Sequence, residues 1–187
     1  SIVVTYTVTA SFGTAPNVCT DTFTIAVTVN PQPSIADVVQ TICSGDTFTV
    51  TPTNTAPNVV PTGTTYTWTV AAGAGITGAS NQATGQTSIS QTLTNTTSTS
   101  LSAIYTVTAS VGTAPNICTD TFTITVTVNP KPSIADVTQA ICTGNTFTVT
   151  PTNTAPDVVP TGTTYTWTVA APAGITGASN QATAQTS

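Results

Sequence analysis

The stretch Thr121-Phe122-Thr123-Ile124-Thr125-Val126-Thr127-Val128 decides the fold of this chain. Every even-numbered residue in it is apolar, and every odd-numbered residue is threonine. Side chains alternate between the two faces of a β-strand, so this pattern predicts a strand with one face in a core and one in water. Threonine suits such a strand because it is β-branched yet polar.

The same alternation recurs along the chain, and no stretch shows helical periodicity. It predicts strands near residues 34–42, 46–53, 63–70, 86–94, 103–110 and 118–129. Gly, Pro and Asn fill the connections between them. Short strands at this density, with a tryptophan on the third, are typical of an immunoglobulin-like sandwich. We therefore expect an all-β fold whose core contains the large aromatic residues Tyr66, Trp68, Tyr105, Phe122 and Trp167.

A repeat of 99 residues organises these strands. Cys19 returns as Cys118, Cys43 as Cys142 and Trp68 as Trp167. Residues 1–88 and 100–187 match at roughly five positions in six. Units of this kind usually build length, because each one repeats the same surface.

Two proline-containing joints divide the repeats. They are Asn30-Pro31-Gln32-Pro33 and Asn129-Pro130-Lys131-Pro132. Proline lacks a backbone donor and fixes φ, so a strand should end there in a stiff, extended joint. We predict the end of one repeat at residues 1–32, a complete repeat at 33–132 and the front of another at 133–187. The chain is then expected to be a section of a longer array.

Composition argues against several classes of function. Charged residues make up only 4% of the chain, the net charge is −5, and Lys131 is the only cation. Nucleic-acid binding needs several Lys or Arg residues to neutralise phosphates, and anionic membrane surfaces are disfavoured for the same reason. No apolar run approaches the roughly 20 residues of a membrane-spanning helix.

Catalytic and metal-binding chemistry also lacks its usual groups. There is no His and no Glu, and the six Asp residues are scattered. Serine and threonine hydroxyls have no neighbouring base to activate them. Zinc favours His and closely spaced Cys ligands, and calcium favours clustered carboxylates, whereas Asp37 near the first joint stands alone. We expect no enzymatic activity, no cofactor and no metal site.

Four segments together resemble a known family. They are Thr41-Ile42-Cys43-Ser44-Gly45-Asp46-Thr47-Phe48, Thr64-Thr65-Tyr66-Thr67-Trp68-Thr69, Gln91-Thr92-Leu93-Thr94-Asn95-Thr96-Thr97, and Asn116-Ile117-Cys118-Thr119 continuing to Val126-Thr127-Val128-Asn129-Pro130. This set is similar to the PKD-like, immunoglobulin-like tandem repeats of giant surface proteins in Bacteroidota. The resemblance implies tandem PKD-like β-sandwiches, export by type IX secretion, display on the bacterial cell surface, and a role in adhesion or gliding motility.

Three Asp-Thr-Phe triplets resemble the O-glycosylation sites of Bacteroidota. They make Thr22, Thr47 and Thr121 candidate acceptors. Turn chemistry explains these triplets equally well. The same holds for Asn95-Thr96-Thr97, which matches an N-glycosylation sequon.

An exported protein favours disulfides, and four cysteines allow three connectivities. We predict a Cys43–Cys118 bond within the complete repeat, with Cys19 and Cys142 pairing with cysteines of neighbouring units. This bond needs a short or kinked first strand, because a straight one would hold the two Cα atoms further apart than about 7 Å. The alternative pairs Cys19 with Cys43 and Cys118 with Cys142 across the joints. It needs a fold-back that Pro-x-Pro opposes.

Three functions remain open. The first is a structural stalk or filament segment of an extracellular adhesin, whose partners are the neighbouring repeats. The second is an array that binds surface glycans weakly and gains avidity, although loops 54–63 and 71–85 contain no aromatic residue. The third is a fibre subunit that associates with other copies by strand donation.

Overall fold

The protein is described by a computed structural model that covers residues 1–186. This part of the chain contains thirteen β-strands and no helix. Ser187, the last residue of the predicted third segment, lies outside the described residues. The strands are β1 (Ile2–Thr14), β2 (Asn17–Val29), β3 (Val38–Cys43), β4 (Thr47–Val50), β5 (Thr65–Ala72), β6 (Ile76–Thr77), β7 (Gln82–Gln86), β8 (Ile89–Thr92), β9 (Thr94–Asn95), β10 (Leu101–Thr113), β11 (Asn116–Asn129), β12 (Tyr165–Trp167) and β13 (Gln181–Gln185).

The central unit is a two-layered sandwich. One layer is a five-stranded sheet in the order β3-β11-β10-β5-β7. The short pairs β4–β8 and β6–β9 form the other layer. Every pairing is antiparallel except that of β3 with β11, which is parallel. The prediction of an all-β sandwich is confirmed.

The core follows the alternation in the sequence. The apolar side chains of β11, from Phe122 to Val128, are at most 3% exposed, while its threonines are exposed or half-buried. Phe48 of the second layer packs on Tyr105 with ring centroids 5.0 Å apart. Tyr66 meets Phe122 edge to face at 6.3 Å. Such tilted arrangements suit the quadrupoles of aromatic rings.

The expected aromatic residues of the central unit all lie in this core. Tyr66, Trp68, Tyr105 and Phe122 are 2%, 7%, 0% and 3% exposed. The prediction is wrong for Trp167, which is 43% exposed. Its strand β12 pairs only with β13 among the described residues, whereas β5, which carries Trp68, is also covered by β10.

Strands β1 and β2 form a hairpin outside the central core. Its register repeats that of β10 and β11: Ile2 lies opposite Val29 as Leu101 lies opposite Val128. Tyr6 and Phe23 hold the places of Tyr105 and Phe122, but they are 54% and 49% exposed. The same sequence therefore forms the same hairpin with or without a second layer.

Several predicted strand bounds differ from the structure, and the largest differences lie at the first strand and between β5 and β8. The first strand begins at Val38 rather than at residue 34, and before it Ser34 makes an isolated bridge with Val59. Strands β6 and β7 occupy a region predicted as a connection. Neither carries the apolar alternation.

Asn95 is the one polar residue buried in the core of the described chain, at 6% exposure. Its Nδ2 donates to the carbonyls of Thr99 and Val128 at 2.7 and 2.9 Å. Its Oδ1 accepts from the N–H and the hydroxyl of Thr97 at 2.9 and 2.8 Å. Ser44 Oγ accepts from the Asn95 N–H at 2.9 Å. One amide thus ties the 95–99 loop to the end of β11.

We predict that Asn95→Ala lowers the free energy of unfolding by about 3 kcal/mol. The substitution leaves several buried backbone groups without partners, and each such loss costs about 1–3 kcal/mol. Urea denaturation measures the change. Thr94→Ala, on the exposed face of the same strand, is the matched control and should stay within about 0.5 kcal/mol of the parent. Equal effects of the two substitutions would contradict the role given to Asn95.

Because the phenol of Tyr105 is buried, we predict that the folded protein loses stability at alkaline pH. Burial raises its pKa from 10.0 to about 12 because the phenolate is poorly solvated there, and burial shifts the pKa of Tyr66 in the same direction. In the unfolded chain the group ionises near 10, so its contribution to stability is complete below pH 10 and is lost as pH rises towards 12.

Urea unfolding between pH 10 and 12 should show this loss, with phenolate absorbance recorded in parallel. Tyr105→Phe is the comparison. It loses the hydrogen bond to Gln91 Oε1, but its stability should fall less steeply over the same interval. A parallel fall in the variant and the parent would refute the assignment to Tyr105.

Candidate functional site at the joints between units

The chain enters and leaves the central unit at opposite ends. Strands β3 and β11 run parallel, in a register that extends from Val38 beside Ile124 to Cys43 beside Asn129. A segment near the start of the unit thus points the same way as the strand that ends it. We call the end where residues 30–33 arrive the entry pole, and the end where residues 129–132 depart the exit pole.

At the entry pole the arriving chain is held on both sides. Ser34 exchanges two backbone hydrogen bonds with Val59, at 2.9 and 2.7 Å. On the other side the Ile35 N–H donates to Asp120 Oδ2 at 3.0 Å. Gln32 Nε2 donates to the Thr119 carbonyl at 2.8 Å. These contacts join the linker to the sandwich before the first strand begins.

Two aspartates act here as acceptors for backbone groups. Asp120 accepts from Ile35, and Asp37 Oδ1 accepts from the Thr123 N–H at 2.7 Å. Each carboxylate fastens the entering segment to β11, and charge-assisted bonds of this kind are stronger than neutral ones. Within residues 1–186, His, Cys, Asp and Glu form no group of three or more that could hold a metal ion.

At the exit pole Asn129 is the central contact. Its carbonyl accepts from the Ser44 N–H at 2.8 Å. Its Oδ1 accepts from Ser100 Oγ at 2.8 Å. The preceding joint repeats this contact, since Ser1 Oγ donates to Asn30 Oδ1 at 2.7 Å. The asparagine before each joint is therefore oriented by the strand beside it.

One side-chain contact crosses the second joint directly. Asn153 Nδ2, from the segment after the joint, donates to Ser98 Oγ of the exit pole at 2.8 Å. Asn153 is itself held by accepting from the Val159 N–H at 3.0 Å. The two units thus touch beside the covalent linker.

The cysteine prediction is wrong for the complete unit. Cys43 lies beside Asn129 at the exit pole, whereas Cys118 lies eleven residues earlier on β11, at the entry pole. At about 3.3 Å per residue the separation is about 36 Å, far above the limit of about 7 Å for a disulfide. The kink that the bond required is absent, since residues 35–43 follow β11. All four cysteines are unpaired, Cys118 is half-buried, and the other three are exposed.

Two shallow grooves flank Trp68. Their volumes are about 300 and 370 Å³, and both are also lined by Asn81 and Gln82. The indole N–H donates to the Ser80 carbonyl at 3.0 Å, and the ring is 7% exposed. Amide and hydroxyl groups line these grooves without an exposed aromatic platform. This arrangement does not favour the glycan-binding alternative.

The candidate glycosylation residues lie on strands. Thr22, Thr47 and Thr121 are all exposed, and the Thr47 hydroxyl is 2.6 Å from that of Thr92. Their modification stays a prediction. The sequon at Asn95 has its amide nitrogen engaged in two hydrogen bonds inside the fold.

Sequence reasoning missed the residues that form the poles. The sequence gives Asp37 no partner, and it ascribes the joints to proline alone. A signal was present, since Asn30 recurs as Asn129, Asp21 as Asp120 and Asp37 as Asp136. Only the folded structure shows what these residues contact.

Comparison with known proteins shows which protein family the central unit resembles. No curated protein matches the chain, and within residues 1–186 no helix is long and apolar enough to cross a membrane. The family model described as "PKD-like domain" matches residues 40–132. That segment begins in β3 and contains every buried hydrophobic residue of the core except Ile35. Residues 40–132 therefore form a PKD-like, immunoglobulin-like domain.

Proposed function

We propose that the chain is a section of an extracellular stalk, in which PKD-like units joined end to end hold a distal part of the protein away from the cell. The observation that carries this proposal is the placement of the two joints at opposite poles of the unit. A domain whose termini lie at opposite ends extends a chain with each copy. One whose termini lie together would build a compact cluster instead.

The dimensions of the unit support a rod. The register places Gln32 level with Cys118, thirteen residues before Lys131 along the departing chain. At about 3.3 Å per residue, one unit advances the array by about 40 Å. The proline joints and the Asn153–Ser98 hydrogen bond restrict bending between units.

The resemblance to surface proteins of Bacteroidota supplies the rest of the proposal. Display on the bacterial surface, export by type IX secretion, and service in adhesion or gliding motility follow from it. A non-catalytic surface of hydroxyl and amide groups is compatible with these roles, since only 4% of the residues are charged. Catalysis is not part of the proposed function.

Small-angle scattering tests the stalk. Chains carrying two, three and four copies of the 99-residue repeat should differ in maximum dimension by about 40 Å per unit. A matched series with Pro130→Gly, Pro132→Gly and Asn153→Ala at every equivalent joint should be shorter, because glycine joints behave as flexible coils. A maximum dimension that does not grow with the number of units would reject the proposal.

The hairpin β1–β2 favours self-assembly by strand donation as a second candidate function. Ile25 and Val27 are 44% and 43% exposed, whereas their counterparts Ile124 and Val126 are fully buried. In the segment after the second joint Phe147 is 66% exposed, whereas its counterpart Phe48 is 2% exposed. The hairpin of one copy could therefore cover the core face of that segment in another copy.

Sedimentation of the 187-residue chain over a range of concentrations tests this association. We expect dimers and longer oligomers, and we expect Val27→Asp to abolish them without unfolding the central unit, which does not contain Val27. Thr24→Asp, on the opposite face of the hairpin, should associate like the parent. A monomer at every concentration, or equal loss in both variants, would exclude strand donation.

A further inference from the structure

We propose that Cys43 forms a disulfide across the joint with the counterpart of Cys118 in the following unit, so that each joint of the array is closed by a covalent bond. This inference rests on the proposed tandem array. It replaces the bond within one unit, which the separation of about 36 Å excludes.

Cys43 and Cys118 lie next to different joints. Cys43 lies beside Asn129, the last residue before the second joint. Cys118 lies at the opposite pole, level with Gln32 when the β3–β11 register is continued backwards. The hydrogen bond from Gln32 Nε2 to the carbonyl of Thr119, the next residue, agrees with this level. Each unit thus carries one thiol at its exit and one at its entry.

The distance across a joint, from Cys43 to the counterpart of Cys118 in the following unit, is short enough for a disulfide. Lys131 holds the position in the second joint that Gln32 holds in the first. The counterpart of Cys118 in the following unit should then lie level with Lys131, two residues beyond Asn129. Two extended residues span about 6–7 Å. This offset matches the usual Cα separation in a disulfide, provided that both cysteines flank the linker on the same side.

The neighbours of the linker show on which side of it each cysteine lies. At the exit pole Asn129 has Cys43 on one side and the Ser100 end of β10 on the other. After the joint, Ser133 pairs with Val158 on one side. The counterpart of β11 must occupy its other side, as β11 does beside residues 32–37 in the central unit.

The contact between Asn153 and Ser98 then fixes the rotation of one unit against the next. Ser98 lies two residues before Ser100, and Asn153 is bound to Val159. Their hydrogen bond closes the joint on the side of β10 and of Val158. The Cys43 edge and the edge reserved for the following β11 are left together on the opposite side. Both thiols are accessible there, since Cys43 is exposed and Cys118 is half-buried.

The bond forms by thiol–disulfide exchange with a disulfide oxidant. The Cys43 thiolate attacks one sulfur of the oxidant and releases the first reduced thiol. The thiolate of the second cysteine then attacks Cys43 Sγ and releases the other. Two cysteines are oxidised to one cystine, one disulfide is reduced to two thiols, and the protons of the cysteines end on the released thiols or in water. Export into an oxidising compartment supplies such a reagent.

The test uses the full chain, lengthened after Ser187 by a second copy of residues 89–132 so that the repeat continues in phase. This protein has five cysteines, four native and one copied. It is oxidised in dilute solution with glutathione disulfide, the free thiols are blocked, and the unfolded protein is cut at aromatic residues. The copied segment carries valine at the counterpart of Ile117, as the first repeat does at Val18, so that its cysteine peptide differs in mass from the otherwise identical peptide of Cys118. Mass spectrometry of the unreduced peptides should find Cys43 joined to the copied Cys118, with two of the five thiols lost.

Matched variants test which cysteines form the cross-link. Cys43→Ser should abolish the cross-link, and Cys142→Ser should leave it unchanged. Asn153→Ala should slow its formation several-fold because the rotation is no longer fixed. A Cys43 thiol that stays open to alkylation, or that cross-links equally to Cys19 and Cys142, would overturn the proposal.

Failure of this proposal is distinguishable from failure of the stalk. In the Cys43→Ser variant the maximum dimension by small-angle scattering should still correspond to an extended array. If the parent protein is extended but forms no cross-link, only the disulfide proposal is overturned. A compact array would count against the stalk itself.

Discussion

The parallel pairing of β3 with β11 is the constraint on which the rest of the structure depends. Because these strands run in the same direction, a chain that enters beside Thr119 must leave beyond Cys43, at the opposite pole. An antiparallel pair would have returned the chain to its entry. The two aspartates that accept backbone hydrogen bonds, Asp37 and Asp120, hold this pairing before β3 begins. The poles, the rise per unit and the separation of Cys43 from Cys118 follow from it.

The chain contains nearly the same hairpin twice, in two environments. Strands β1–β2 and β10–β11 have equivalent registers, yet one hairpin is exposed on both faces and the other supplies most of a core. Hairpin formation is therefore local, set by alternation and by the turn. Burial depends on a second layer, which β4 and β8 give to the central unit. The core of the central unit joins residues from Ile35 to Val128, so we expect a unit to be stable only when its front and back are both present.

This separation of local from distant contacts explains what the sequence could predict. The alternation of apolar residues and threonine in residues 121–128 was enough to predict the strand, its buried face and the all-β fold class. Tyr66, Trp68 and Tyr105 were placed correctly for the same reason. The level of Cys43 against Cys118 depends on the register between strands more than 80 residues apart, which no local pattern encodes. The disulfide prediction failed there, and Trp167 failed because burial needs partner strands rather than alternation alone. At the joints, prolines were visible in the sequence, but the partners of Asn129 and Asn153 were not.

The chemistry of the joints also gives a reason for the low charge of the chain. Most side-chain contacts beside the linkers, Gln32 with Thr119, Ser100 with Asn129 and Asn153 with Ser98, join neutral groups, and Asp120 is the charged exception. Salt screens interactions between exposed charges and barely affects hydrogen bonds between neutral amides and hydroxyls. An array joined by ion pairs would loosen or stiffen with the ionic strength around the cell. Joints held by contacts of asparagine, glutamine and serine should keep the same geometry at low and at high ionic strength, which is the mechanical property that the proposed stalk requires.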